Sequence, residues 1–248
     1  MPSTVFLPQI ERKVALVIGI NHYRDPNIMP LDSALPDAEA VAALMAQHLG
    51  YEARVLRDPT KAEIVNSIAA LARELGPRDS VTVYYAGHGY MTGNAKSGQQ
   101  GYWIPADASS TNPANWISTS DVARLLAAIP ASQVMLVSDS CYSGTFTREQ
   151  QVVSSPDAGQ ILARRSVVVM SSGGEEPVAD DGVDGHSIFA WSLLQSLQQV
   201  QRYDTGSSVF DSVKGQVTAA YPQVPQYGAA RSAGYVSGGD YLFEARRY

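Results

Sequence analysis

The chain has 248 residues, of which 45% are hydrophobic and 17% charged, enough apolar material for one large domain or two small ones. Its formal net charge of −6 at pH 7 argues against a surface for nucleic acid or an anionic membrane. One cysteine excludes an internal disulfide, no run approaches the ~18 apolar residues of a membrane span, and the N-terminus lacks a signal-peptide pattern. We therefore expect a cytoplasmic protein with neither a nucleic-acid nor a membrane partner.

Short apolar runs alternate with helical patterns along the chain. Continuous apolarity, typical of strands covered on both faces, predicts strands at Val14–Ile20, Ala53–Leu56, Ser80–Ala86, Gln133–Asp139 and Ser166–Ser171. Helical periodicity predicts helices at Asp37–Leu49, Lys61–Leu75, Ser120–Ile129, Ser187–Gln199 and Val209–Tyr221. The alternation predicts an α/β fold with a doubly wound, mostly parallel sheet flanked by helices.

Two segments interrupt this alternation. Met91–Gly101 is polar and Gly-rich, which predicts a hairpin or loop. Gly144–Arg165 joins two predicted strands without a convincing helical pattern. A loop of that length in a compact domain is usually functional or disordered.

A cysteine and a histidine follow two of the predicted strands. Cys141 lies in VMLVSDSCYSG, and His88 lies in YYAGHG about 50 residues earlier. Ligands of open parallel sheets bind outside the carboxyl ends of the strands, where a thiol beside an imidazole can perform acyl transfer. A buried packing cysteine and a structural histidine are the alternatives. The polar neighbours of Cys141 and the glycines flanking His88 favour catalysis, with the amides of Gly89 and Cys141 available to an oxyanion.

The remaining histidines, His22, His48 and His186, are weaker candidates. His186 opens the segment GHSIFAW, where we expect it to cap the following helix or to pack against it. The run ADDGVDG just before it is typical of a turn.

Together with KVALVIGINHY, SALPDAEAV, GHSIFAWSLLQSL and GGDYLF, the two motifs resemble the caspase-like cysteine peptidases of clan CD (family C14), most of all the metacaspase and bacterial orthocaspase branch. The resemblance covers nearly the whole chain. It implies a caspase-like fold, with an N-terminal arm at 1–12 and one peptidase domain at 13–248. That domain would comprise a large-subunit-like part at 13–147, a linker at 148–165 and a small-subunit-like part at 166–248.

The resemblance also implies a role for each candidate site residue. Cys141 would attack the scissile carbonyl as a thiolate, and His88 would transfer the protons. Gly89 and Cys141 would form the oxyanion hole. Asp37 and Asp139 match two acids of the metacaspase substrate pocket, and two adjacent carboxylates suit a guanidinium or ammonium group, so we expect cleavage after Arg or Lys. Asp37 alone is equally explained as a first-turn residue favoured by the helix dipole.

In such relatives the segment after the cysteine is cut by autolysis. Arg148, Arg164 and Arg165 are basic residues of this segment, so we expect self-cleavage at one or more of them. An uncleaved, solvated linker is the alternative.

The chain departs from the family pattern at Tyr142, where metacaspases usually carry His, and at Ala86, where they often carry Ser. Neither change touches the dyad, and both would reshape the pocket. No cofactor or metal is expected. Some metacaspases require calcium, but the loop after His88 holds no acid before Asp107, so we expect calcium-independent activity.

The expected function is limited, regulatory proteolysis of protein or peptide substrates, as in bacterial stress, cell-death or antiphage responses, by a monomer or a homodimer. The main alternative is a catalytically silent caspase-like interaction module, against which the intact Cys141–His88 pair argues. The chain carries no G-x-S-x-G elbow, no Walker lysine pattern and no G-x-G-x-x-G after the first strand, which argues against an α/β hydrolase or a nucleotide-binding protein.

Overall fold

A computed structural model describes residues 10–94, 98–140, 152, 154–155, 157–173 and 182–246. Each strand and helix predicted above is present, with ends that shift by less than one helical turn. In chain order the elements are β1 (Arg12–Gly19), α1 (Ala34–Gln47), β2 (Glu52–Arg57), α2 (Lys61–Glu74), β3 (Asp79–Ala86), β4 (Gly89–Asn94), β5 (Gly98–Trp103), β6 (Ile117–Ser118), α3 (Thr119–Ala128), β7 (Gln133–Asp139), α4 (Ala158–Leu162), β8 (Ser166–Ser171), α5 (Ile188–Gln198), β9 (Tyr203–Thr205), α6 (Gly206–Ala220), β10 (Gln226–Ala229) and β11 (Leu242–Glu244).

The central sheet has six strands in the order β10-β8-β7-β3-β1-β2. All neighbours are parallel except β10, which pairs antiparallel with β8. Every residue of β3, β7 and β8 is buried, which explains why the middle of each strand is mostly apolar rather than alternating. The expected mostly parallel sheet is therefore confirmed.

Helices cover both faces of this sheet. The chain moves one way across the sheet from β1 to β2 and back across β1 to reach β3. Right-handed crossovers then place α1 and α2 on opposite faces. Helix α1 packs against α5, and α5 against α6, while α2 packs against α3. This is the doubly wound arrangement predicted from the sequence.

The two interrupting segments differ from each other in structure. The first forms most of a hairpin, as expected, in which β4 and β5 pair antiparallel. Strand β5 also pairs with β6, which the sequence pattern does not indicate. The second contains the short helix α4, which the sequence pattern does not indicate. Asp157 caps α4 by accepting a hydrogen bond from the Gln160 amide, and Ile161 is buried against Leu242. No helix in the described ranges combines the length and apolarity needed to cross a membrane.

Candidate active site

The strands that precede His88 and Cys141 are neighbours in the sheet and end side by side. Ala86, the last residue of β3, pairs with Asp139, the last residue of β7, and the Gly87 amide donates to the Asp139 carbonyl at 3.4 Å. His88 is two positions beyond the first of these and Cys141 two positions beyond the second. Cys141 itself lies outside the described residues. The topology thus brings the residues that precede His88 and Cys141 together at the carboxyl end of the central strands.

Backbone contacts hold His88 in a defined orientation. Its Nε2 lies 2.8 Å from the carbonyl oxygen of Met29. Because a carbonyl only accepts, Nε2 carries the proton of the neutral ring, and Nδ1 keeps its lone pair. The His88 amide donates to the Tyr23 hydroxyl at 2.9 Å, and the Tyr23 ring lies 5.0 Å from the imidazole. A ring with its proton on Nε2 is therefore arranged to accept a second proton at Nδ1.

Two stacked aromatic side chains support the turn that carries His88. The Tyr85 hydroxyl donates to the His88 carbonyl at 2.8 Å, and the Tyr85 ring stacks on Trp103 at 4.2 Å. A Cβ at Gly87 would lie 2.9 Å from the Tyr85 hydroxyl oxygen, closer than real side chains approach. Glycine at position 87 therefore allows the close packing that fixes the histidine.

The hairpin that follows determines the direction of the Gly89 amide. Gly89 pairs with Trp103, and the Ile104 amide donates to the His88 carbonyl at 3.1 Å. This pattern makes Gly89–Trp103 a non-hydrogen-bonded pair, in which the amides point away from the partner strand. The ladder between β4 and β5 therefore does not use the Gly89 N–H.

The two predicted acidic residues, Asp37 of α1 and Asp139 of β7, lie on either side of one serine. Ser187 donates its hydroxyl to Asp139 Oδ2 at 2.6 Å and its amide to Asp37 Oδ2 at 3.2 Å. The same hydroxyl accepts from the Ala190 amide and so caps α5. Asp37 is 1% exposed and Asp139 6%. We call Asp37 and Asp139 the acidic pair.

Burial controls the charge of this site. Burial raises the pKa of Asp37 from its ordinary 3.8 to about 6, and the contacts with His186 and Ser187 partly oppose that increase. Tyr84 of β3 is fully buried, and its hydroxyl has no hydrogen-bond partner within the described part of the chain. Burial, together with the charges of Asp139 and Asp37, raises the pKa of Tyr84 well above 10, so the phenol stays neutral beside the acidic pair.

His186 has a different role from the one expected from the sequence. The cap of α5 is Ser187, whereas His186 Nδ1 lies 2.6 Å from Asp37 Oδ1. It closes a turn in which Asp184 and Gly185 both have positive φ, which confirms the predicted turn for the described part of this run, residues 182–185. His22 pairs with Asp58 instead, and His48 Nε2 lies 2.9 Å from the Val200 carbonyl.

The candidate cleavage residues differ in their surroundings. Arg165 donates to the Ala131 carbonyl at 2.6 Å, its own carbonyl accepts from Val236, and the next amide, of Ser166, donates to Ser132. Cutting after Arg165 would require this segment to leave the sheet. Arg164 follows α4 and donates to the Gln160 carbonyl at 2.8 Å. Arg148 lies outside the described residues.

Sequence reasoning missed several residues that shape the site. Ser187 and Tyr84 give no local signal for this site, and His186 gives one only for a cap or a packing residue, because their neighbours in space are remote in sequence. Met29 acts through its carbonyl, which every residue type possesses. Where the structure is described, no three His, Cys, Asp or Glu side chains come together as metal ligands would.

Comparisons with known proteins agree with this architecture. The family model described as the caspase domain, peptidase family C14, matches residues 12–234. Metacaspase-1 of Scheffersomyces stipitis is 28% identical over 151 residues, which cover 54% of this chain but only 36% of that protein. Among solved structures, protein GSU0716 of Geobacter sulfurreducens has a TM-score of 0.67 at 18% identity and covers 93% of this chain and 99% of its own. Caspase-1 of Spodoptera frugiperda has a TM-score of 0.65 at 12% identity, with coverages of 98% and 93%; these two likenesses concern the fold.

Proposed function

The chain belongs to the caspase-domain family of cysteine-type peptidases, and we propose that it is an active endopeptidase that cleaves proteins after Arg or Lys with Cys141 and His88. The observation that carries the proposal is that β3 and β7 are neighbouring strands whose carboxyl ends lie side by side. There, a backbone-oriented histidine lies next to the Ala86–Asp139 end of the strand pair. The acidic pair begins at the same strand end, because Asp139 is the last residue of β7.

The orientation of His88 supports its role as the base of a dyad. With Nε2–H donated to Met29, Nδ1 can take the thiol proton of Cys141 as the sulfur attacks the scissile carbonyl. The C–N bond then breaks, and the same proton passes from Nδ1 to the departing amine. Water repeats the sequence on the thioester, with Nδ1 again accepting a proton, and releases the carboxylic acid and the thiol.

The amide of Gly89 supports an oxyanion hole. It follows His88 directly and is not consumed by the β4–β5 ladder. An N–H aimed at the developing oxygen charge is among the most effective devices in acyl transfer. We assign the second donor to the amide of Cys141.

The acidic pair supports a preference for basic residues. Asp37 is ionised above a pH of about 6, and a guanidinium or ammonium group would relieve the repulsion between the two carboxylates. A substrate aspartate would instead bring a third carboxylate to the same buried site. The acidic pair thus favours Arg and Lys over the aspartate that caspases prefer.

A panel of fluorogenic peptides with Arg, Lys or Asp before the cut tests the proposal. We expect hydrolysis of the Arg and Lys peptides, and none by Cys141→Ala or His88→Ala. Preferred hydrolysis of the Asp peptide would overturn the specificity. Absence of hydrolysis by the wild type, with a folded protein, would favour a silent interaction module.

Self-processing is the second part of the proposal. We assign it to Arg148, and to Arg164 after it, because Arg165 is held in the sheet by its side chain and its carbonyl. Intact mass spectrometry of the wild type should then find a break after residue 148 or 164 that Cys141→Ala lacks. Cleavage that persists in Cys141→Ala would exclude autolysis.

A further inference from the structure

The turn before α5 presents an internal base to the acidic pair. His186 Nδ1 lies 2.6 Å from Asp37 Oδ1, while the Ser187 amide occupies Asp37 Oδ2. The Asp37 side chain is 1% exposed and the His186 side chain 22%. Asp37 is therefore approached from solvent on the side of the His186 imidazole. That imidazole occupies Oδ1, the carboxylate oxygen that a substrate cation would use.

The backbone around His186 is fixed, but its side chain is not buried. The His186 amide donates to the Val183 carbonyl at 3.0 Å across the two-residue turn of Asp184 and Gly185. A Cβ at Gly182 would lie 2.0 Å from the His186 carbonyl oxygen, so the preceding chain packs directly on this turn. Since the turn and the Ser187 amide hold the main chain, the imidazole can leave Asp37 by rotation of the side chain alone.

We propose that His186 holds the place of the substrate's basic side chain on Asp37 and yields it when that side chain binds. This inference rests on the proposed preference for Arg and Lys. An imidazolium and a guanidinium both offer N–H donors to a carboxylate, but only the guanidinium keeps its charge at every working pH. The imidazole and the substrate's basic side chain cannot both occupy Oδ1 of Asp37, so the imidazole withdraws as that side chain arrives.

The other titratable groups described at this site, Asp139 and Tyr84, do not make way for a substrate cation. Asp139, from β7, is linked to the pair through the Ser187 hydroxyl and adds a negative charge that attracts either cation. Tyr84, from β3, stays neutral because burial and the two carboxylates raise its pKa well above 10. Within the described site, the contact between His186 and Asp37 is thus the one that a bound cation would replace. His186 is therefore a positioning residue. A substrate side chain that binds Asp37 less well than the imidazole does would not displace it and would not be accepted.

Nitrogen-detected NMR of histidine in Cys141→Ala protein tests this directly. The probes are acetyl-Ala-Ala-Arg-amide and its citrulline counterpart, which is isosteric but uncharged. We expect the Arg peptide to move the Nδ1 signal of His186 away from the position of a ring hydrogen-bonded to a carboxylate, and the citrulline peptide to leave it unchanged. His22, paired with Asp58 and 76% exposed, is the matched control and should not respond. Binding of the Arg peptide without a change at His186 would overturn this inference and leave the proposed specificity standing. Absence of binding would overturn both.

Kinetics of two variants supply an independent readout. His186→Lys puts a permanent cation on the turn, and we expect KM for an Arg substrate to rise about tenfold while kcat changes less than about twofold. His186→Asn keeps a neutral donor near the position of Nδ1, and its KM should not exceed that of the wild type. Equal KM values for the two variants, or a loss confined to kcat, would contradict the proposal.

Discussion

Asp37 should reduce the stability of the fold at the pH where it serves the site. Burial raises its pKa from 3.8 to about 6, so the folded protein binds this proton more tightly than the unfolded chain does. The contribution of protonated Asp37 to the free energy of unfolding is fully present below pH 3.8 and is lost as the pH rises through about 6. A shift of about two pKa units corresponds to about 3 kcal/mol at pH 7.5 and to about half of that near pH 5.

The perturbation is Asp37→Asn, in a Cys141→Ala background that prevents self-cleavage. Asparagine mimics the protonated acid, because it can accept from the Ser187 amide and donate to a neutral His186. We therefore expect the variant to be the more stable protein by up to about 3 kcal/mol at pH 7.5, with a gain that shrinks toward pH 5. Urea denaturation followed by fluorescence at several pH values measures the difference.

Asp25→Asn is the control of opposite sign. Hydrogen bonds from Ser110 and Asn27 lower the pKa of Asp25, so its ionised form is the favoured one in the folded protein. Its replacement should reduce stability at neutral pH. An Asp37→Asn variant that is less stable than its parent at pH 7.5, or whose gain does not depend on pH, would refute the reasoning about burial.

Further predictions concern the supports of the site. Ser187→Ala removes the cap of α5 and the hydrogen bond to Asp139. The free energy of unfolding, measured by urea titration, should fall by about 2–4 kcal/mol, and a loss below about 1 kcal/mol would contradict these roles. Tyr85→Phe removes the hydroxyl's hydrogen bond to the His88 carbonyl and leaves that of the Ile104 amide, and it should lower kcat by about tenfold with KM unchanged, because the acidic pair is untouched; a rise confined to KM would argue against it. Hydrolysis rates in excess chelator and in added calcium should agree, because the Asp107 carboxylate already accepts hydrogen bonds from neighbouring groups; strong activation by calcium would show the expectation to be wrong.

The sheet and the position of the predicted dyad follow from local patterns. Strands buried on both faces are mostly apolar on both, so β3 and β7 are recognisable without knowledge of their neighbours. His88 and Cys141 each follow such a strand, and the rule for parallel sheets directs attention to that end. The pairing of β3 with β7 is a property of the topology, which the motifs indicate only through the family resemblance.

The acidic pair illustrates what local patterns cannot supply. His186 is 149 positions from Asp37, and Ser187 is 48 positions from Asp139. A histidine before a helix reads locally as a cap or a packing residue, since nothing nearby in sequence identifies its carboxylate. Helix α4 was missed for a different reason, because five residues are too few to display helical periodicity.

The central claim is that Cys141 and His88 cut beside a basic side chain held by the acidic pair. Its most direct test is kcat/KM for two fluorogenic peptides that differ only by Arg or citrulline before the cut, measured on the wild type and on Asp139→Asn. We expect the wild type to prefer Arg by about tenfold to a hundredfold, as a charge-assisted hydrogen bond allows, and most of this preference to disappear in the variant. Equal rates for the two peptides in the wild type, or a preference for Arg that Asp139→Asn retains in full, would contradict it.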